Sequence, residues 1–176
     1  MRPIRHSITN AIAGVMTALL CGFAVAALGA GRGDAAQCRP DGRLRIAVVL
    51  EPPTGQTIAG VVVDLDYPPR KLDIPGSADG AEVKARVAGM PTGFLGSPND
   101  LDGDLKVALA GTSALPSGPI FTVEFDRCKC EAKPVVADFR CTVTQASTDA
   151  GVLVDGTRCR ATIADDAATK AKGGSV

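Results

Sequence analysis

The chain has 176 residues, with 19 Lys and Arg against 19 Asp and Glu, one histidine and no tryptophan. Acidic and basic residues are equal in number, so the chain has no excess positive charge with which to bind nucleic acid. Such binding depends on clustered Lys and Arg. The one histidine, His6, lies in an N-terminal segment that we expect to be removed. The remaining chain could then form no Ser–His–Asp triad, no Cys–His pair and no histidine-ligated metal site, so we expect no enzyme.

The two ends of the chain differ from its middle. Arg2 and Arg5 precede an apolar run at 11–30, and the small residues of GDAAQ follow, which is the order of a secretory signal peptide. We predict a signal peptide at 1–36 and a mature protein that is extracellular or periplasmic and has no membrane span. An uncleaved anchor is the alternative, because the run is long enough to cross a bilayer. The tail at 165–176 is small, polar and aperiodic, and is predicted to be disordered.

Between these ends, short segments alternate apolar and polar residues. In RLRIAVVL, for example, every second residue from Leu44 to Leu50 is apolar. Such alternation is typical of antiparallel strands with one buried face, and turn-forming residues separate the segments. The sequence predicts an all-β fold at 37–164, a single antiparallel β-sandwich of about eight to nine strands, with a closed barrel as the competing architecture. The alternating segments are 43–50, 57–67, 82–88, 104–110, 120–126, 139–145 and 158–163.

Five of the six cysteines lie beyond residue 36, and an exported chain is expected to form disulfides. Cys141 and Cys159 share the inward phase of their segments, so we predict that they form a bridge. Cys38 could then reach Cys128, which would leave Cys130 spare, although spacing alone does not determine connectivity. A four-cysteine zinc site is the alternative, but such sites usually contain two C-x2-4-C pairs, and this chain has a single C-x-C.

Three stretches resemble the cohesin family and its relatives among carbohydrate-binding β-sandwiches. They are AGVVVDLDYPPRKLDIPG at 59–76, GDLKVALAG at 103–111 and GPIFTVEFD at 118–126. The resemblance covers about residues 57–126. It implies a jelly-roll sandwich of about nine strands, and a role in binding another protein, such as a dockerin-like partner, or a surface polysaccharide.

Two functions remain open. The first is a secreted, non-catalytic module that recognises another protein, and the second is a carbohydrate-binding or structural domain of the cell surface. Carbohydrate is usually bound on exposed aromatic rings, but Tyr67, the only tyrosine, has inward phase, and Phe94 is the one aromatic residue expected in a loop. Asp64 and Asp66 could serve as a carboxylate pair for glycoside hydrolysis, but we interpret them as a solvated strand face. No ligand-binding residues are indicated.

The stretch NDLDGD at 99–104 suggests calcium. An EF-hand loop needs oxygen ligands at positions 1, 3 and 5, Gly at 6 and an acid at 12, and no register of this stretch supplies them. We interpret SPNDLDGD as the turn that leads into the next strand. A weak calcium site formed by Asp100, Asp102 and Asp104 is the alternative, and no other cofactor is expected.

Overall fold

The computed structural model of the protein describes residues 38–116, 118–129 and 131–164. The predicted signal peptide at 1–36, the predicted disordered tail at 165–176 and Cys130 lie outside these residues. The described part contains nine β-strands, one short α-helix and one turn of 3-10 helix. No helix in that part has the length and apolar character needed to cross a membrane.

The nine strands form two antiparallel sheets, which confirms the predicted sandwich rather than a closed barrel. One sheet has the order β3–β7–β1–β9, with β4 also paired to β7, and the other has the order β5–β6–β2–β8. The strands are β1 (Pro40–Glu51), β2 (Gly60–Asp66), β3 (Leu72–Asp73), β4 (Val87–Ala88), β5 (Phe94–Asp100), β6 (Asp104–Gly111), β7 (Gly118–Cys128), β8 (Arg140–Ser147) and β9 (Arg158–Ile163).

The core lies between the two sheets and follows the predicted alternation. Val61, Val63 and Leu65 of β2 are buried, whereas the residues between them are only half-buried. Phe121 and Phe125 of β7 fill the same core from the other sheet. The inward phase predicted for Tyr67 is confirmed, since it is buried with its ring centroid 4.8 Å from that of Phe125. Burial of one face of each strand is what drives the two sheets together.

The prediction of a strand at 82–88 is wrong for most of its length. Residues Ala81–Arg86 form the helix α1, and only Val87–Ala88 pair with β7. Val83 and Val87 are both buried, and their spacing of four residues is one helical turn as well as two strand repeats. The alternation of a segment this short is therefore compatible with either structure. Ala85, which a strand would turn to the same side as Val83 and Val87, is exposed.

Strand β5 is missing from the sequence prediction. Its residues Ser97–Asp100 belong to the stretch interpreted as a turn, because Ser, Pro, Asn and Asp favour turns. The actual turn is at 101–103, where Asp102 and Gly103 have φ of 54° and 116°. Phe94, expected in a loop, begins the strand, and its ring lies over Gly111, its partner on β6.

The outer edge of β5 is largely closed to a further strand. Asp100 exchanges two backbone hydrogen bonds, of 2.8 and 3.0 Å, with Ala78. Because hydrogen-bonding direction alternates along a strand, Gly96 and Pro98 face the same edge. Pro98 has no N–H to donate, and proline is a common means of protecting a sheet edge from unwanted pairing.

Both predicted disulfides are confirmed. Cys141 of β8 bonds to Cys159 of β9, with 5.6 Å between their Cα atoms, and thereby joins edge strands of the two sheets. Cys38, two residues before the start of β1, bonds to Cys128 at the end of β7, with a Cα separation of 4.8 Å. Each end of the described domain is therefore tied covalently to a neighbouring strand.

Candidate functional site

The candidate site is the outer face of the β5–β6–β2–β8 sheet. Because directly paired residues share a face, the register places one residue from each strand in rows across this sheet. Inward-facing residues of these strands fill the core, so the rows between them face away from it. One end of this outer face is apolar and the other end is charged.

The apolar end is a row of five residues with a leucine at each end. Leu95 of β5 pairs with Ala110 of β6, Ala110 with Gly60 of β2, and Gly60 with Ser147 of β8. Leu153 extends the row through an isolated bridge to Ser147. Leu95 is 81% exposed and Leu153 is 66% exposed. We call these five residues the leucine row; at about 4.8 Å per strand it spans roughly 19 Å.

The floor between the two leucines is formed by small side chains. A Cβ atom at Gly60 would lie 2.8 Å from the Ser147 hydroxyl oxygen, so glycine allows that serine to lie over β2. The next row contains Ser97, Ala108 and Val62, which carry no charge. The surface between the two exposed leucines is therefore lined by small, uncharged side chains.

A small cavity of about 150 Å³ adjoins the Leu153 end of the row. It lies between β8 and the connection that leads to β9. That connection turns back at 148–152, and the N–H of Val154 donates to the Ala146 carbonyl at 2.9 Å. The Val152 carbonyl accepts a hydrogen bond from the Thr148 N–H, so both neighbours of Leu153 are held by the backbone.

The opposite end of the face carries three carboxylates and two cations. Lys106 lies 3.6 Å from Asp64, and Arg140 forms an ion pair with Asp66. Asp104 is paired with Asp66 across the strands. Partial burial, and then the charges of Asp64 and Asp66, raise the pKa of Asp104. The structure thus brings Asp64 and Asp66 to one face, as predicted, and gives each a cationic partner.

The structure does not bring the three aspartates of the suggested calcium site together. Asp104 belongs to the outward charged end, whereas Asp100 is 3% exposed and accepts a 2.8 Å hydrogen bond from the Tyr67 hydroxyl. Asp102 lies in the turn between them. Within the described ranges, no three His, Cys, Asp or Glu side chains are grouped to hold a metal ion.

No aromatic ring of the described part stands exposed on this face. Tyr67, Phe121, Phe125 and Phe139 are buried, and Phe94 is half-buried against Gly111. A sugar ring stacking on an aromatic side chain would find no platform among these residues. The exposed apolar area comes instead from leucine and small residues.

Sequence reasoning missed Leu95 and Leu153. Both lie between glycines, in GFLG and GVLVDG, in stretches not assigned to strands. Their only sequence signal is a large apolar residue inside a Gly-rich segment, where a solvated turn would favour a polar one. Their shared row depends on pairings across the whole sheet, which no local pattern reveals.

Comparison with protein-family models, with curated proteins and with solved structures finds no match to the chain.

Proposed function

We propose that this protein is a secreted, non-catalytic module that binds another protein or a cell-surface component through the leucine row and the adjoining charged end. The observation that carries the proposal is the row itself, with two leucines exposed by more than half on one face of the sheet. Large exposed apolar side chains that form a patch with polar neighbours are typical of interaction surfaces.

A protein partner suits this surface best. The two leucines can anchor in pockets of a partner, because they project beside a floor of small residues that permits close approach. The charged end, with Lys106, Arg140 and the three carboxylates, can select orientation rather than add much affinity. Association through the face is also favoured over strand addition at β5, whose outer edge is mostly closed.

The export and the cohesin-like character of the protein are parts of the same proposal. Two disulfides support an oxidising compartment, where such bonds persist. A two-sheet sandwich of nine strands is the architecture that the resemblance to cohesins implies. A dockerin-like partner is therefore the first protein class to test.

A carbohydrate-binding or structural role at the cell surface is the second candidate. It is supported by the same sandwich architecture, but the burial of the aromatic rings in the described part argues against binding by stacking. The non-catalytic part of the proposal is supported by the cationic partners of Asp64 and Asp66, since neither carboxylate of this pair faces an open cleft without a counter-charge.

The proposal is tested by a double substitution in the row, Leu95→Ser with Leu153→Ser. The matched control is Val135→Ser with Val136→Ser, because these valines are 54% and 48% exposed and lie outside the row. Wild type and both variants are immobilised and exposed to a panel of purified dockerin-like domains and to envelope proteins of the source organism. We expect the row variant to lose at least tenfold in affinity for a retained protein, which is about 1.4 kcal/mol, and the control to bind as wild type.

Retention on insoluble polysaccharide is measured with the same three proteins. Polysaccharide binding that is equal in all three, together with no protein whose binding depends on the row, would favour the second candidate and overturn the first. Far-ultraviolet circular dichroism and thermal melts confirm that each variant is folded before binding is compared.

A further inference from the structure

An arginine occupies an inward-phase position near the end of β7. Arg127 lies two residues after the core residue Phe125, and residues two apart in a strand share a face. Arg127 is half-buried, and its Nε atom is buried with no hydrogen-bond acceptor among the described residues. A buried donor without an acceptor is unfavourable, so an acceptor supplied to this guanidinium would stabilise the folded protein.

The charge of Arg127 is also uncompensated. Three other Lys and Arg residues of the described part are half-buried, and each pairs with an aspartate at 2.8 to 3.6 Å. These pairs are Lys71–Asp138, Arg86–Asp126 and Lys106–Asp64. Arg127 alone of the four forms no ion pair with a residue that the structure describes. A charge taken out of water is costly when no counter-charge accompanies it.

The neighbouring strand leaves room for the guanidinium. The register of β1 against β7 shifts between Pro40 and Arg43. Asp41 and Gly42 therefore lie together opposite Arg127, which is the pattern of a β-bulge. A Cβ atom at Gly42 would lie 2.6 Å from Nη2 of Arg127, so glycine allows the guanidinium to lie against the backbone of β1. Bulges often occur where a strand re-aims a side chain at a functional site.

Arg127 lines a cavity of about 240 Å³. Pockets for drug-sized ligands measure roughly 300–1,000 Å³, so this cavity suits one small chemical group. The charged residues that line it are Arg127, Lys71, Lys133, Asp41 and Glu131. Lys71 already has a carboxylate partner, and the two acidic residues are exposed. Because these acids would repel a multiply charged anion, the lining favours an anion with a single charge.

The walls of the cavity are fixed by covalent and backbone bonds. Cys128, which lines the cavity, is bonded to Cys38. The Cys128 N–H donates to the Lys71 carbonyl at 2.8 Å, and the Lys129 N–H donates to the Arg39 carbonyl at 2.8 Å. A ligand would therefore enter a cavity that is already formed, which limits the ordering cost of binding.

We propose that this cavity binds a carboxylate group, which accepts hydrogen bonds from the Arg127 guanidinium. The planar guanidinium presents its donors as a fork that matches a carboxylate in geometry and charge. The proposal is independent of the leucine row, because no residue that lines the cavity belongs to the sheet that carries the row. The carboxylate can come from a free small acid, a sugar acid or an acidic side chain of another protein, and the experiment separates these sources.

The test is an NMR titration of the isotopically labelled protein at pH 7 with sodium acetate to about 100 mM, with sodium chloride holding the ionic strength constant. We expect a saturable shift of the Arg127 backbone and guanidinium resonances. The dissociation constant should be roughly millimolar, because so small a ligand makes few contacts. Sulfate should bind at least about threefold more weakly than acetate, since the two exposed acids oppose its second charge.

Parallel titrations with glucuronate and with the amide of N-acetylglutamate identify the source of the carboxylate. Tighter binding of glucuronate than of acetate would assign the site to sugar acids, and tighter binding of the blocked glutamate would assign it to acidic side chains. Equal binding of all three would assign it to a free carboxylate. Each of these outcomes supports the site.

Substitutions of Arg127 show whether its guanidinium is the ligand-binding group. We expect Arg127→Gln to weaken acetate binding at least about tenfold. Arg127→Lys keeps the charge without the fork and should weaken it about threefold. Arg158→Gln is the matched control, because Arg158 is exposed, does not line the cavity and forms no ion pair within the described ranges. This control should bind acetate as wild type does.

Three results would overturn the proposal: no saturable shift in wild type, equal acetate affinity in wild type and Arg127→Gln, or tighter binding of sulfate than of acetate. Circular dichroism establishes that each variant is folded before affinities are compared. If Arg127→Gln does not fold, Arg127→Lys takes its place, and an acetate affinity equal to that of wild type would then count against the guanidinium fork.

Discussion

At the scale of single residues, Asp138 shows how one carboxylate can organise a loop. Its Oδ2 accepts hydrogen bonds of 2.9 Å from the Val135 N–H and from the Lys71 ammonium. The 3-10 turn Val136–Asp138 is thereby closed at its start and attached to the chain before β3. These two donors, first Val135 and then Lys71, lower the pKa of Asp138.

The lowered pKa predicts a pH dependence. A carboxyl whose pKa is depressed in the folded state stabilises the protein above its ordinary pKa, and this contribution is lost as pH falls through the folded-state value. We expect Asp138→Asn to lower Tm by a few degrees at pH 7, roughly what an exposed ion pair contributes. The gap to wild type should shrink as the pH falls below about 3.8, the ordinary value.

Thermal melts from pH 7 to about pH 3 measure that gap, with Asp155→Asn as the control because Asp155 is exposed and makes no side-chain hydrogen bond to the described residues. A gap between wild type and Asp138→Asn that stays constant over the whole range would contradict the linkage. A gap that also appears for Asp155→Asn would show a general charge effect.

At the scale of elements, α1 is attached to the sheet by the ion pair between Arg86 and Asp126. The Arg86 and Asp126 side chains are 16% and 11% exposed. We expect Arg86→Gln to destabilise the protein by about 2–4 kcal/mol in urea unfolding, because it leaves a mostly buried carboxylate without its main partner. Arg45→Gln is the control. The Arg45 side chain is half exposed where it meets Glu124, so this substitution should destabilise the protein by at most about 1 kcal/mol. If the two substitutions lowered the free energy of unfolding equally, the burial of the Arg86–Asp126 pair would not explain its contribution.

The two disulfides join different elements over different lengths of chain. Cys38 and Cys128 are 90 residues apart, and Cys141 and Cys159 are 18 apart. If a disulfide acts mainly by restricting the unfolded chain, replacing the first pair by serine should cost about 4–5 kcal/mol and the second about 3 kcal/mol. Urea unfolding of the two double variants, with Cys130→Ser as the control that keeps both bridges, measures the difference. The reverse order would show that native-state contacts dominate.

At the scale of the whole molecule, the sandwich could be predicted because most strands bury one face and therefore alternate. The Cys141–Cys159 bridge could be predicted for the same reason, since both cysteines share the inward phase of their strands. Helix α1 could not, because valines four residues apart suit a helix and a strand equally. Strand β5 could not, because its Ser, Pro, Asn and Asp resemble a turn, and the leucine row depends on pairing between segments far apart in sequence.

The order of the cysteines has a consequence for how the chain is oxidised. Each of the two bridges joins two cysteines that are consecutive in the sequence, Cys130 lies between the two pairs, and the bridged loops neither cross nor nest. If Cys130 were absent, a chain oxidised from Cys38 onward would thus reach the native pairing by joining each thiol to the next one to emerge. Cys130 emerges between Cys128 and Cys141 and can compete for Cys38 or for Cys141, so Cys130→Ser should reduce the number of products in oxidative refolding.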